Sequence, residues 1–167
     1  MKSSDKKMIF QSKKCDLRLA VSLRARPEQA YLALTSAREL CRWWLSGAET
    51  DARNGGGFRM VWPKSPRQAD YPRGLGEKEG FFVDLEPGRK VAWMWKANDK
   101  TAPPLISFFL RPKARGCEVT LLHAGFPANA ASGRQVACFR RGWEDCLAKL
   151  KLYCETGRTC KADTLSL

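Results

Sequence analysis

Histidine is nearly missing from this chain: among 167 residues there is one, His123. A Cys2His2 zinc site is therefore excluded, and any structural zinc would have to gather three or four thiolates. Seven cysteines are present, but none forms a C-x-x-C pair. Cys138, Cys146 and Cys154 recur at intervals of eight; at about 100° per helical residue each is turned roughly 80° from the last, so they share no ligand face. No stretch approaches the roughly 20 apolar residues that span a bilayer. The opening "MKSSDKKMIFQSKKCD" is basic and lacks an apolar core, so it does not read as a secretory signal. A reduced, cytoplasmic setting is the expectation, with the cysteines as buried free thiols.

Acidic residues are scarce too. Thirty Lys and Arg stand against seventeen Asp and Glu, a net charge of +13 with His neutral. Such a field draws nucleic acid, anionic surfaces or acidic proteins. The basic residues are nevertheless spread from Lys2 to Lys161 without a run of five or six. Helix-turn-helix, zinc-finger and phosphate-loop patterns are all lacking; "NGGG" at 54–57 is a hairpin turn. The expectation is no specific nucleic-acid partner and no membrane span, with an acidic protein partner left open.

What is present is alternation. Leu17, Leu19, Val21 and Leu23 recur at period two, a strand with one buried face. "RPEQAYLALT" opens a helix with Pro27 in its first turn, and Ser36 with Glu39 matches a capping box for a second short helix through Trp43 and Trp44. Alternation resumes at Phe58, Met60 and Trp62, at Glu79, Phe81, Val83 and Leu85, and at Val91, Trp93 and Trp95. "LISFFL" and "CEVTLLHA" follow, the latter with Cys117, Val119, Leu121 and His123 on one face. Turns between these runs predict an antiparallel meander. Val136, Phe139, Trp143, Leu147, Leu150 and Cys154 then recur at three and four, predicting a helix from near 132 to near 157. The sum is an α+β domain: a curved antiparallel sheet of six to seven strands wrapped around a long C-terminal helix, with two short helices after the first strand.

Chemistry-bearing groups are few. His123 admits three readings: a buried ring satisfied by one hydrogen bond, a donor to a ligand, or a catalytic base. No local nucleophile–base–orienter motif accompanies it. Glu77 and Glu79 share a strand face, with Asp51 a candidate to approach them, and paired carboxylates can divide acid and base roles; ion pairing with nearby Arg and Lys is the plainer alternative. The six tryptophans either fill a core or line a pocket with large apolar faces and polar tips.

"RPEQAYLALTSARELCRWW" at 26–44, "GGGFRM" at 55–60, "GEKEGFFVDLEPGRKVAWMW" at 76–95, "EVTLLHAGFP" at 118–127 and "GWEDCLAKLKLYCETG" at 142–157 occur in a telling order. Together they resemble the START-like (SRPBCC, Bet v-like) helix-grip superfamily, and within it the homologues of the activator of the heat-shock chaperone ATPase. The resemblance implies a cavity between sheet and long helix suited to apolar or amphipathic small molecules. Its candidate lining is Trp43, Trp44, Met60, Phe81, Trp93, Trp95, Phe109, His123, Trp143 and Leu147, with no catalytic residue, metal or cofactor assigned. It also implies a basic N-terminal tail at 1–14, one START-like domain at 15–160 and a C-terminal tail at 161–167. The loop "PKSPRQADYPRG" at 63–74 departs from the short hairpin link usual in that family. Binding of a small molecule is the leading expectation; an enzyme acting on such a molecule and a chaperone-linked interaction module are the alternatives.

Scattered cations attract phosphates without reading bases. Duplex DNA titrated at two salt concentrations is therefore expected to bind weakly and to lose affinity steeply with salt. A preference for one sequence that persists at high salt would contradict this.

Overall fold

The computed structural model describes residues 16–64, 76–97, 103–126 and 130–167. Most of the basic loop at 63–74 and the whole of the expected N-terminal tail lie outside them. The elements in chain order are β1 (Leu17–Leu23), α1 (Pro27–Thr35), α2 (Ala37–Trp43), β2 (Gly47–Thr50), β3 (Gly57–Val61), β4 (Glu77–Glu86), β5 (Lys90–Trp95), β6 (Leu105–Lys113), β7 (Gly116–Ala124) and α3 (Ala130–Thr156). The strands form one antiparallel sheet in the order β1-β7-β6-β5-β4-β3-β2. Its seven strands curve around α3, and α1 and α2 follow β1 as the sequence predicts.

Alternation sorts the strands into an inner face, packed toward α3, and an outer face. In β7, Cys117, Val119, Leu121 and His123 are all buried while their neighbours are less so. The register carries one inner row across five strands: Leu17, His123, Ile106, Trp93 and Phe82, each at most 1% exposed. Burial on this scale is the main source of the fold's stability. From α3, Trp143, Cys146, Leu147, Leu150 and Cys154 enter the same core.

β4 departs from the expected phase. Its buried residues are Gly80, Phe82 and Leu85, while Phe81 and Val83 face outward. A register shift between Phe82 and Asp84 explains why Leu85 points in although Val83 points out: a bulge adds one residue and flips the alternation after it. Gly80 is required by packing. A Cβ there would collide with the Met94 carbonyl oxygen and the Phe58 ring.

The capping box does not form. Ser36 stands at the N-cap of α2 without a side-chain cap bond, and the Ala37 N–H is taken instead by Thr50 Oγ1 at 3.1 Å. Glu39 is drawn away from the helix start by Arg42 at 2.9 Å and by the Tyr153 hydroxyl, which donates to it at 2.5 Å. The residues expected as a C-terminal tail also engage the domain. Lys161 Nζ donates to the carbonyls of Cys41 at 2.8 Å and Leu45 at 3.2 Å, satisfying the end of α2. Leu165 N donates to Asp145 Oδ1 at 2.6 Å, over the buried Asp145–Lys149 ion pair at 2.8 Å.

Two glycine substitutions test this packing. Gly80→Ala is expected to lower the urea midpoint, by about 1–3 kcal/mol of stability, because the added methyl has no room. Gly133→Ala, on α3 with no heavy atom within 4 Å of the added Cβ, should stabilise by about 0.5–1 kcal/mol. Equal effects at the two positions would contradict the assigned phase of β4.

Candidate functional site

The tryptophan indoles meet inside the domain. Trp43 stacks on Trp44 at 5.4 Å between centroids. Trp44 contacts Trp62 at 5.4 Å, Trp62 contacts Trp95 at 5.8 Å, and Trp95 contacts Trp93 at 6.1 Å. Trp93 meets Phe108 at 5.1 Å, Phe108 meets Trp143 at 6.0 Å, and Trp143 returns to Trp44 at 6.3 Å. Six rings thus form a closed circuit, drawn from the end of α2, the end of β3, β5, β6 and α3. Its edge-on and tilted pairs match the geometry that ring quadrupoles favour, each worth about 0.5–1.5 kcal/mol beyond area burial. Phe58 and Phe82 pack behind Trp93.

His123 joins this circuit through Trp143. The Trp143 indole N–H donates to His123 Nδ1 at 2.9 Å. An indole only donates, so Nδ1 must be bare and, in a neutral ring, the proton sits on Nε2. Burial in an apolar shell lowers the His123 pKa from 6.5 to about 4, so the ring is neutral near pH 7. Phe126 lies at 4.3 Å and Phe139 at 4.8 Å between centroids. Gly125 makes this possible: its φ of 99° turns the chain so that Phe126 comes back over the histidine.

The structure bears on all three readings of His123: the ring is fully buried and makes one side-chain hydrogen bond, with Trp143. The ring's one lone pair is already occupied by Trp143, so it cannot accept a proton without breaking that bond. Its remaining polar atom, the protonated Nε2, can only donate. Among the described residues, two buried side-chain nitrogens find no hydrogen-bond partner: His123 Nε2 and Trp93 Nε1. Both are N–H donors, both on the inner face, and they lie on the same cross-strand row, separated by Ile106.

The sequence-nominated residues divide. Trp43, Met60, Trp93, His123 and Leu147 are fully buried, and Trp44 and Trp143 nearly so; Trp95 is partly buried against the same core. Phe81 and Phe109 belong elsewhere: both are 40% exposed on the outer face. Phe81 is turned out by the phase of β4. Phe109 follows the inward Phe108 on β6 and lies under Lys90 Nζ, 5.6 Å from its ring centroid. The carboxylate pairing also fails. Glu77 is held by a two-pronged contact with Arg59 at 2.5 and 2.9 Å, Glu79 pairs with Lys96, and Asp51 pairs with Arg53 at 2.7 Å. Arg59's hydrogen bonds hold the Glu77 carboxyl below its ordinary range, which suits a permanent ion pair and not a proton shuttle. Trp62, Phe108, Phe126 and Phe139 join the site without being singled out by the sequence. Alternation with Met60 marked Trp62; nothing in "LISFFL" distinguishes Phe108 from Phe109.

Cys117, Cys146 and Cys154 are core residues, whereas Cys41, Cys138 and Cys160 are only partly buried. Burial pushes the Cys154 thiol up to about 12 and the Cys146 thiol well above its ordinary value, so both stay protonated and weakly reactive. No group of three His, Cys, Asp or Glu among the described residues is placed to hold a metal ion.

A family model described as Activator of Hsp90 ATPase homolog 1-like protein matches residues 24–155. The chain belongs to that family. Its fold is similar to protein SSP2350 from Staphylococcus saprophyticus, with a TM-score of 0.70 at 19% identity over 89% of this chain and 97% of the other. The Aha1 dimer from Colwellia psychrerythraea aligns with a TM-score of 0.67 at 20% identity over 86% of this chain and 98% of that one. Protein BPP1335 from Bordetella parapertussis gives 0.62 at 25% identity over 84% and 76%. No protein of curated function matches the sequence. The family's START-like helix-grip fold supports a ligand-binding or co-chaperone-like module in general terms. No helix among the described residues is long and apolar enough to cross a membrane.

The neutral histidine has a pH signature. Unfolded, His123 takes up a proton near 6.5; folded, only near 4. Between those values the unfolded state binds the extra proton, so stability falls as pH drops through the window, by roughly 3 kcal/mol in all. His123→Gln keeps an amide oxygen for the Trp143 N–H and removes the titration. Denaturant midpoints from pH 7 to pH 4 should fall more steeply for wild type than for the variant. Parallel curves would contradict a buried neutral ring.

Proposed function

We propose that the protein binds a small apolar or amphipathic molecule between the inner face of the sheet and α3. The observation that carries this reading is the closed circuit of Trp44, Trp62, Trp95, Trp93, Phe108 and Trp143. Small-molecule sites are lined mostly by aromatic and apolar groups with a few polar ones; the circuit is a lining of that composition, and its N–H groups are the polar complement. A plain core would have served with aliphatic side chains, which bury without leaving polar atoms to satisfy. Turnover has little support, since His123 lacks a free lone pair and the nominated carboxylates are committed to cations.

Under this reading Trp43, Met60 and Leu147 back the site, and Trp93, Trp95, His123 and Trp143 face the ligand. Phe81 and Phe109 have no part in it. The acidic partner left open by the net charge of +13 would meet the outer face, where Phe81, Val83 and Phe109 are exposed and Lys90 lies over the Phe109 ring.

Native mass spectrometry of protein purified without added ligand, compared with its denatured mass, tests the reading. The expected result is an adduct of a few hundred daltons lost on denaturation, the size of ligand that such pockets enclose. Ligand-stripped protein should take up an apolar fluorophore with quenching of tryptophan emission. Identical masses together with unchanged emission would overturn ligand binding and leave the outer face as the functional surface.

A further inference from the structure

Trp93 Nε1 and His123 Nε2 are buried polar atoms without partners among the described residues, in a domain that satisfies its other buried polar side chains with care. Trp43 Nε1 reaches the Ala33 carbonyl at 2.9 Å, Trp143 Nε1 reaches His123, and Lys149 reaches Asp145. Buried donors are almost always paired, and an exception calls for an explanation. The two exceptions here share three properties. Both can only donate, Trp93 because indole has no acceptor and His123 because Trp143 fixes its tautomer. Both belong to fully buried side chains. And the register Trp93–Ile106–His123 sets them on one row of the inner face, two strands apart, so their backbones stand roughly 10 Å from each other at about 4.8 Å per strand.

The charge environment narrows the complement further. The buried charged residues described are Asp145 and Lys149, which pair with each other beneath the C-terminal segment. Neither has been left for a ligand ion. An anion on this row would have to be desolvated with only neutral donors as compensation, which is unfavourable in a low-dielectric interior. A cation or a hydroxyl directed proton-first would meet two N–H groups and repel both.

We propose that the ligand is a neutral, flat aromatic or polycyclic molecule carrying carbonyl or ether oxygens, which accept hydrogen bonds from Trp93 Nε1–H and His123 Nε2–H. This deepens the ligand-binding reading and rests on it. The circuit of rings contributes stacking surface that is tolerant of shape, and the two donors confer selectivity by rejecting analogues that leave them unpaired. Trp143 is then a positioning residue: its N–H holds the histidine tautomer and does not touch the ligand's oxygen.

Three naphthalenes of nearly equal shape separate the possibilities. 2-Acetylnaphthalene presents a neutral acceptor, 2-isopropenylnaphthalene replaces the oxygen by a methylene, and 2-naphthoate presents an anion. Titrated at pH 7 against ligand-stripped protein, the ketone is expected to bind about tenfold more tightly than the alkene, the ratio one neutral hydrogen bond sustains. The naphthoate should bind no better than the alkene. In 15N–1H spectra of the wild-type protein, the Trp93 indole cross-peak should move downfield with the ketone and not with the alkene. Trp93→Phe, which keeps a ring and removes the N–H, should bring the ketone-to-alkene ratio toward one while the alkene still binds.

Equal binding of ketone and alkene with a stationary Trp93 cross-peak would overturn the donor assignment and leave ligand binding intact. Tightest binding of naphthoate would overturn neutrality. Failure of all three to bind would remove the parent reading as well. Should Trp93→Phe fail to fold, the wild-type affinities and cross-peak still decide.

Discussion

A buried hydrogen bond, from the Trp143 indole to His123 Nδ1, ties the long helix to the inner face of the sheet, while Lys151 reaches the Ser22 carbonyl of β1 nearer the surface at 2.7 Å. Hydrophobic packing would bring α3 onto the inner face in any of several rotations, since its buried stripe offers apolar groups over much of its length. The bond favours one, together with the contacts of Lys151 with Ser22, Tyr153 with Glu39 and Glu155 with Arg24. It also sets the chemistry of the chain's only histidine, because an indole donor leaves the imidazole no choice of tautomer. The helix, the histidine and the aromatic circuit are therefore one construction.

The two faces of the sheet divide the protein's polar chemistry. On the outer face, carboxylates are matched with cations, as in Arg59–Glu77, Lys90–Asp84 and Arg111–Glu118. Exposed pairs of this kind contribute little stability each, but they occupy the acidic residues and leave the surplus of lysine and arginine to the surrounding field. On the inner face the polar groups are N–H tips of aromatic rings. The buried thiols Cys117, Cys146 and Cys154 are pushed upward by burial, which keeps them protonated.

Much of this architecture is legible in the sequence, because two periodicities carry it. Cys117, Val119, Leu121 and His123 alternate without interruption and lie on one face; Trp143, Leu147, Leu150 and Cys154 recur at helical spacing and are buried together. Misreadings arise where a local pattern is overruled by something distant. The bulge after Phe82 inverts the phase of β4, so unbroken alternation back from Leu85 points to Phe81 where the structure buries Phe82. Adjacent phenylalanines at 108 and 109 give alternation no way to choose between them, and the cross-strand register chooses Phe108. Ser36 and Glu39 have the right spacing for a capping box, yet Thr50 and Tyr153, both far away in sequence, take their roles. The same holds for the site itself. Trp93 and His123 are visible as inward residues, but that their N–H groups lack partners is a property of the assembled interior alone.

The central claim is that His123 is a neutral ring with a bare Nδ1 and a protonated Nε2 directed into the domain. Long-range 15N–1H correlation of the histidine side chain measures this without a ligand or a mutation. The account requires a bare, acceptor-type Nδ1 and a protonated Nε2 at neutral pH, unchanged on acidification to pH 5. A ring that carries its proton on Nδ1, or that titrates near 6.5, would contradict it.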